Sequence, residues 1–227
     1  FNGAAGFQGA TFNRAGFQDA TFTNDANFWD ANFNGAAGFQ GATFNRAGFR
    51  GATFNRAGFR GATFNHAGFQ GATFNGAAGF QGATFNGAAG FQGATFNGAY
   101  FWDATFNGAA GFRGATFNGA YFWGATFNGA AGFRGATFNR AAGFRGATFN
   151  GAAGFQDATF TNDANFWDAT FSRSAPPMGL PPEQVDEDGL PHGARWADAD
   201  DEGLEAGSPD DAPAEGTGPG SAGSAAS

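Results

Sequence analysis

Phenylalanine recurs every five or six residues from Phe1 to Phe171, and this spacing is the dominant hydrophobic pattern of the chain. Of the 32 intervals between successive Phe residues, 22 are five residues long and ten are six residues long. From Phe7 onward, Ala stands two positions before every Phe. Because side chains alternate along an extended backbone, Ala and Phe point to one side and their mostly polar neighbours point to the other. A helix does not fit, since steps of five residues would carry the Phe side chains around the helix. The pattern predicts short extended segments with Ala and Phe inside.

Two successive 21-residue copies indicate how these segments are arranged. Residues 98–118 and 119–139 differ at one position, where the first copy has Asp103 and the second has Gly124. Each copy contains four Phe residues. If one copy is one turn of a solenoid, each turn has four sides with a Phe at the centre of each. The whole array then makes about eight coils, a rod on the order of 40 Å long at a strand spacing of roughly 4.8 Å.

The longer intervals are placed regularly. Repeats of the form A-T-F-N alternate with repeats of the form A-G-F-Q or A-G-F-R, and all ten six-residue intervals follow the Thr-type series, as between Phe74 and Phe80. On a four-sided coil, the extra residue therefore lies at one diagonal pair of corners. Gly, Asn and Asp are concentrated near these corners, so we expect backbone conformations with positive φ there.

The repeated Ala-x-Phe unit resembles the motif of the pentapeptide-repeat family, A-(D/N)-(L/F)-x-x, over residues 1–171. The resemblance implies an all-β fold, a right-handed, four-sided parallel β-helix. Two features depart from the family pattern. The Asp or Asn before the large residue is mostly Thr or Gly here, with Asn only at Asn27, Asn32 and Asn165, and the longer intervals extend many turns from 20 to 21 or 22 residues.

Large aromatic side chains flank some of the Phe residues. Since every fourth Phe shares a side, Trp102 and Trp123 lie one coil apart and are expected to stack, whereas Trp29 falls on the opposite side. Exposed aromatic residues in one patch are typical of an interaction site. Stacking that only shields the backbone is the structural alternative. The predicted partner surface consists of Tyr100, Trp102, Tyr121, Trp123 and Trp167.

Charge divides the chain into two segments. Residues 1–171 contain nine Arg and seven Asp, a net charge of +2, whereas residues 172–227 contain two Arg and twelve acidic residues, a net charge of −10. Nucleic-acid binding needs a concentrated basic face, and the sequence does not predict one, so nucleic acid is not an expected partner. Four arginines follow four successive Phe residues and should form a ring around the rod: Arg46, Arg50, Arg56 and Arg60.

Few residues are available for catalysis or metal binding. Residues 1–171 contain no Ser, Glu or Cys, and His66 is their single His. Asp25 and Asp163 lie in repeated T-N-D-A-N-F-W-D blocks at six-residue corners, where Asp is a common turn former. No His, Asp or Glu group has metal-ligand spacing, and no phosphate-binding glycine loop is present. We therefore expect no enzyme activity, no cofactor and no bound metal.

The residues after the repeats differ in composition. Residues 172–196 contain several large apolar residues and are predicted to cap the end of the solenoid, where backbone groups and apolar core would otherwise be exposed. Residues 197–227 are acidic, then rich in Gly, Ser, Ala and Pro, and are predicted to be disordered.

The sequence gives little information about where in the cell the protein is located. No stretch approaches 18 uninterrupted apolar residues, so we expect no membrane span. The chain begins in mid-repeat at Phe1, so the residues that would show a signal peptide are expected to be missing, and a cytoplasmic location is the default expectation. The absence of Lys and Ile beside abundant Ala, Gly and Arg is typical of a GC-rich bacterial genome.

These patterns favour a structural or interaction protein without catalytic activity, whose protein partner the sequence does not name; a homodimer is one option. The family resemblance supplies an alternative, because some members mimic DNA and bind DNA gyrase, a type II topoisomerase, which they protect from quinolones. That mechanism needs an acidic rod, and the +2 charge of residues 1–171 argues against it. Thr rows on two opposite sides resemble those of ice-binding β-helices, a minor alternative, since each side carries a single Thr per coil.

Overall fold

The computed structural model describes residues 1–162 and 164–197, which form a solenoid of short parallel β-strands. No α-helix occurs in these residues, and none of their helices could cross a membrane; the one helical turn is a 3₁₀-helix at Pro182–Gln184. In chain order the strands are β1 Ala5–Gly6, β2 Thr11–Phe12, β3 Ala15–Gly16, β4 Thr21–Asn27, β5 Asn32–Gly38, β6 Thr43–Gly48, β7 Thr53–Gly58, β8 Thr63–Phe64, β9 Ala67–Gly68, β10 Thr73–Phe74, β11 Ala78–Gly79, β12 Thr84–Phe85, β13 Ala89–Gly90, β14 Thr95–Phe96, β15 Ala99–Tyr100, β16 Thr105–Phe106, β17 Ala110–Gly111, β18 Thr116–Phe117, β19 Ala120–Tyr121, β20 Thr126–Phe127, β21 Ala131–Gly132, β22 Thr137–Phe138, β23 Ala142–Gly143, β24 Thr148–Phe149, β25 Ala153–Gly154, β26 Thr159–Phe160, β27 Ala164–Asn165, β28 Thr170–Phe171 and β29 Arg195–Trp196.

Each strand pairs with the strand one coil away, in a register that sets Phe on Phe and Ala on Ala. In β14 and β18, for example, Phe96 lies opposite Phe117. The Phe residues therefore form four columns, which we use to number the sides of the solenoid. Side 1 contains Phe1, Phe22, Phe44, Phe64, Phe85, Phe106, Phe127, Phe149 and Phe171; side 2 contains Phe7, Phe28, Phe49, Phe69, Phe91, Phe112, Phe133 and Phe155; side 3 contains Phe12, Phe33, Phe54, Phe74, Phe96, Phe117, Phe138 and Phe160; side 4 contains Phe17, Phe39, Phe59, Phe80, Phe101, Phe122, Phe144 and Phe166.

This arrangement confirms the predicted all-β, four-sided parallel β-helix. The eight stacked contacts of side 1 join nine rings, so residues 1–171 make about eight coils, as predicted, and the pairing of β29 with β28 adds one further level. Two sheets build it. One runs over sides 1 and 2 and the other over sides 3 and 4, because strands such as β6 and β7 continue around the corner between two sides.

Phe and Ala fill the interior of the rod. Most Phe side chains between Phe22 and Phe171 are 0–1% exposed, and the inward Ala residues are also buried. Rings in one column stack with centroids 4.6–5.1 Å apart, whereas rings of adjacent columns meet edge to face or tilted. Since each buried aromatic ring removes about 150–250 Å² from water, a narrow core of this kind is stable without Leu or Ile.

The corners between sides 2 and 3 and between sides 4 and 1 are tight turns. At each of them the Ala before the next Phe donates its N–H to the carbonyl of the preceding Phe, as Ala104 does to Phe101 at 3.1 Å. At every such corner, the residue two positions after the Phe whose carbonyl accepts this bond has positive φ, and it is Gly or Asp. Asp103 has φ +54° and its counterpart Gly124 has φ +63°.

At the other diagonal pair of corners, which carries the six-residue intervals, the described residues with positive φ are only Gly98 and Gly119, both in five-residue corners, which corrects the expectation that positive φ is concentrated there. Gly108, in a six-residue corner, does not have positive φ. It is small for another reason: a Cβ on Gly108 would collide with the backbone of Gly87 in the preceding coil, and one on Gly129 would collide with Gly108. At these corners glycine permits close approach between coils, whereas the left-handed conformation is concentrated at the other diagonal pair.

Residues 172–197 continue past the last Phe and contact the final coil. Strand β29 pairs with β28, which sets Trp196 in register with Phe171. The Met178 N–H donates to the Ala153 carbonyl at 2.9 Å, and the Met178 carbonyl accepts from the Phe155 N–H at 2.7 Å. Leu190 is buried as part of the core, and Leu180, Ala194 and Trp196 pack against it.

The contacts of residues 172–197 with the final coil lie where the cap is predicted, and the stabilising role of residues 172–196 stays a prediction. The predicted disordered tail, residues 197–227, lies outside the described residues except for Ala197.

Candidate functional site

The predicted aromatic surface lies on side 4, and we call Tyr100, Trp102, Tyr121, Trp123 and Trp167 the aromatic face. These residues immediately precede or follow the buried rings of Phe101, Phe122 and Phe166. Because neighbours alternate in direction along an extended segment, burying each Phe turns the residues beside it outward. The repeat pattern itself thus positions the aromatic face.

Four members of the aromatic face form two parallel stacks. The indole rings of Trp102 and Trp123 have centroids 5.4 Å apart and an interplanar angle of 2°. The rings of Tyr100 and Tyr121 are 5.7 Å apart at 9°. Within each coil, Tyr meets Trp edge to face, with centroids 5.1 Å apart. The expected Trp stack is therefore present, and it belongs to a larger cluster of four rings.

The fifth member is separate from this cluster. Two coils separate Trp167 from Trp123, and the coil between them presents Gly143 and Arg145. The Trp167 N–H donates to the side-chain oxygen of Asn165 at 2.9 Å. The structure thus brings together four of the five predicted residues, with Trp167 further along the same side.

The aromatic face is partly open to solvent. Trp123 is 42% exposed and Trp167 is 61% exposed, whereas Trp102 and the two Tyr residues are half-buried. The Trp123 indole leans over Gly143 of the next coil, where a Cβ would collide with it. The Trp102 Nε1 is buried without a hydrogen-bond acceptor among the described residues. The face therefore presents a partly exposed aromatic surface, and the unsatisfied Trp102 donor lies buried beneath it.

Trp29 lies on side 2, as predicted, and is separate from the aromatic face. It is 44% exposed and leans over Gly48 in the same way as Trp123 leans over Gly143. Since it has no stacked Trp or Tyr neighbour among the described residues, it is a matched single Trp against which the aromatic face can be compared.

The arginines are distributed around the rod, as expected. Arg50, Arg113 and Arg134 lie on side 2, and Arg134 contacts Asp157 at 3.4 Å. Arg60 is on side 4. Among the described residues, no side of the solenoid collects a concentrated basic face.

Asp25 is paired with an arginine. Its Oδ1 lies 2.6 Å from the Arg46 Nε, and the two residues are opposite each other in the pairing of β4 with β6. Asp25 has no positive φ, so its role is an exposed ion pair between coils. Asp163, the corresponding residue of the second block, lies outside the described residues. No group of three His, Cys, Asp or Glu residues in the described part of the chain could hold a metal ion.

Two ladders of asparagine side chains were not predicted from the sequence. At the corner between sides 1 and 2, each Asn side chain donates to the Asn one coil before it, with distances of 2.8–3.4 Å. A second ladder at the corner between sides 3 and 4 includes Asn118 donating to Asn97 at 2.6 Å. The recurring A-T-F-N motif carries the signal, because it places Asn at the same position of most coils. The first ladder contains Asn45, Asn65, Asn86, Asn107, Asn128 and Asn150.

The same two corners carry shallow notches, where coils with five-residue corners lie beside coils with six-residue corners. The notch between sides 1 and 2 has a volume of about 590 Å³ and includes the Asp25–Arg46 pair and His66. The notch between sides 3 and 4, of about 740 Å³, is lined by Arg14, Arg56 and asparagines. The sequence analysis did not predict either notch.

Comparison with known proteins agrees with this architecture. A family profile described as pentapeptide repeats (9 copies) matches residues 28–73, 69–116, 103–137 and 133–175. The chain belongs to the pentapeptide-repeat family. The four matches together extend over residues 28–175 of the 227-residue chain. The expected family membership is therefore confirmed.

Solved structures of other pentapeptide-repeat proteins resemble the chain at low identity. A trypsin-treated variant of QnrB1, a plasmid-mediated fluoroquinolone resistance protein, is 18% identical with a TM-score of 0.41, and the match covers 86% of this chain and 93% of QnrB1. HetL, a pentapeptide-repeat protein involved in heterocyst differentiation regulation in the cyanobacterium Nostoc, is 17% identical with a TM-score of 0.27, over 79% of this chain and 92% of HetL. A search of curated proteins finds no match for this sequence. At these identities and TM-scores, the likeness says nothing about shared partners.

Proposed function

We propose that this pentapeptide-repeat protein is a non-catalytic interaction protein that binds a protein partner through its aromatic face. The observation that carries the proposal is the Trp102–Trp123 stack, 5.4 Å between centroids, beside the exposed ring of Trp123. Exposed Trp and Tyr residues are enriched in protein–protein interfaces and depleted on free surfaces.

The stacked geometry favours binding because it orders the side chains in advance. Each ring of the Tyr100–Tyr121 and Trp102–Trp123 stacks is held by a parallel neighbour and by an edge-to-face contact. An interface side chain that becomes immobilised on binding costs about 0.5–1.5 kcal/mol. Rings already fixed by the solenoid avoid much of that cost.

The proposal can be tested with two matched variants of the full chain. We expect the Trp102→Ala/Trp123→Ala double variant to lose capture of partners in pull-downs, and Trp29→Ala to retain it, because Trp29 is a single exposed Trp on the opposite side. Thermal melting of each variant checks that the solenoid is folded. Equal capture by the wild type and both variants would contradict the assignment of the aromatic face.

A second copy of the chain is one candidate for the partner. Sedimentation equilibrium of the wild type and the double variant tests this option. If the partner is a second copy, the wild type sediments as a dimer and the Trp102→Ala/Trp123→Ala variant as a monomer.

Binding of DNA gyrase by DNA mimicry stays the alternative functional prediction. The residues of the rod that the structure describes carry arginines on several sides, and Arg14, Arg56 and Arg60 would face a DNA-binding surface with the wrong charge. A gyrase supercoiling assay with the purified full chain distinguishes the two functions. Inhibition or quinolone protection at micromolar concentration would favour the alternative.

A further inference from the structure

We infer that the notch between sides 3 and 4 is a binding site for an oligophosphate anion, held by Arg14 and Arg56. Both arginines line this notch, whose volume is about 740 Å³. They lie two coils apart, so their backbones are separated by about 10 Å along the rod. This site is distinct from the aromatic face, and the inference does not depend on the proposed function.

The notch arises from the lengths of successive corners. Arg14 and Arg56 belong to coils with five-residue corners, and the coils that follow them have six-residue corners containing Gly35 and Gly76. The stem of each arginine packs across the glycine of the next coil: a Cβ on Gly35 would lie 3.2 Å from the Arg14 Cγ, and one on Gly76 would lie 3.4 Å from the Arg56 Cγ. The two guanidinium groups are therefore positioned by their stems at one notch.

Neither Arg14 nor Arg56 forms an ion pair with an acidic residue in the part of the chain that the structure describes. The polar residues beside them in the notch are asparagines, whose side-chain amides are neutral. The notch thus brings together two positive charges, and none of its described lining residues is acidic.

At the corner between sides 1 and 2, an arginine in the equivalent position is neutralised by an aspartate. In the pairing of β4 with β6, Asp25 lies opposite Arg46 and forms a 2.6 Å ion pair. In the pairing of β5 with β7, the equivalent position opposite Arg56 is occupied by Ala36. Arg46 is thus neutralised within the solenoid, whereas Arg56 can pair with an external anion.

The arrangement suits several phosphate groups in a row. A guanidinium group binds phosphate oxygens through two parallel N–H donors, and its charge does not depend on pH in the physiological range. A single phosphate contacts one such group, whereas a tripolyphosphate-sized anion can approach both across the open notch. The low positive charge of the rod disfavours a long nucleic acid, which would need many such contacts.

The experiment is a calorimetric titration of the full chain with sodium tripolyphosphate at low ionic strength. We expect Arg14→Gln and Arg56→Gln each to weaken binding at least fivefold, and the double variant to abolish it. Ala36→Asp should also abolish binding, because the new carboxylate copies the Asp25–Arg46 pair. Ala36 is exposed, so this change should leave the melting temperature unaltered.

Arg46→Gln is the matched control, because Arg46 is already paired. It removes the same charge and should leave tripolyphosphate binding unchanged. If Arg46→Gln weakens binding as much as Arg56→Gln, the anion responds to net charge alone and the site is overturned. The assignment to phosphate is overturned if a synthetic oligo-glutamate peptide of equal charge binds more tightly than tripolyphosphate.

Discussion

At the scale of single residues, the tight corners decide where Gly and Asp occur. Every corner between sides 2 and 3 or sides 4 and 1 has a residue with positive φ, and the non-glycine residues in that conformation are all Asp: Asp19, Asp30, Asp103, Asp157 and Asp168. Asp tolerates the left-handed region better than most residues with a Cβ, because its short side chain can interact locally with the backbone. The single difference between the two 21-residue copies falls at such a position, which explains why Asp103 and Gly124 are interchangeable.

Gly114 tests this explanation. Its φ is +64°, and a Cβ there would meet no atom within 4 Å, so only backbone conformation limits substitution. We expect Gly114→Asp to reduce the free energy of unfolding by under about 1 kcal/mol, and Gly114→Val to reduce it by about 1–2 kcal/mol more, since a branched Cβ disfavours this region. Urea denaturation of both variants measures the difference. Equal losses would show that the conformation is not what selects the residue.

The sequence patterns were least successful in predicting the backbone conformation and contacts of individual corner residues. The sequence indicated that Gly, Asn and Asp mark corners, but it expected positive φ at the diagonal pair where the described residues show it only at Gly98 and Gly119. Gly108 and Gly114 look alike within one repeat. Their roles differ because Gly108 touches the preceding coil, whereas Gly114 has an unusual φ. Contacts between coils are visible in sequence only when residues about 21 positions apart are compared.

At the scale of strands and corners, the ring columns are the main source of stability. The Phe spacing predicted these columns correctly, because alternation in an extended segment and a constant coil length are both local properties. One repeat alone does not show how the side chain at one corner is matched by the residue at the same corner of the next coil. At three five-residue corners a long side chain is followed, one coil later, by Gly at a six-residue corner, as with His66 and Gly87, whereas Arg46 is followed by His66. The aromatic face was predicted for the same reason as the columns, since its residues adjoin buried rings.

Shortening one ring in the middle of a column should be costly. Phe106 is 0% exposed and stacks between Phe85 at 4.7 Å and Phe127 at 4.8 Å. We expect Phe106→Ala to reduce the free energy of unfolding by about 3–5 kcal/mol, because it leaves a cavity between two rings. Phe12→Ala, in the partly exposed first coil, should cost less. Chemical denaturation measures both, and a smaller loss for Phe106→Ala than for Phe12→Ala would contradict the role given to the columns.

At the scale of the whole molecule, the solenoid is a stack in which each coil meets the coils before and after it. Stability in such a stack depends on its terminal coils, where strand edges and core would otherwise be exposed. Residues 172–197 contact the final coil through β29, Met178 and Leu190. The sequence predicted this segment from its apolar residues, but its strand pairing with β28 needed the structure.

The stabilising role of this segment has a direct test. We expect Leu190→Ala and Trp196→Ala each to lower the melting temperature by several degrees, because both side chains pack against the core. Met178→Ala is the matched control: the Met178 side chain is 50% exposed and its contacts with Ala153 and Phe155 come from the backbone. Unchanged melting of the Leu190 and Trp196 variants would rule out a capping role.

The stacking of near-identical coils also determines how the molecule would respond to mechanical tension. Pulling on its two ends would detach one coil at a time, since each described strand of the solenoid pairs only with strands one coil away. Each detached coil of 21 residues frees roughly 70 Å of extended chain, while the rod shortens by only about 5 Å. Force–extension curves should therefore show evenly spaced steps, each of which corresponds to the unfolding of one coil.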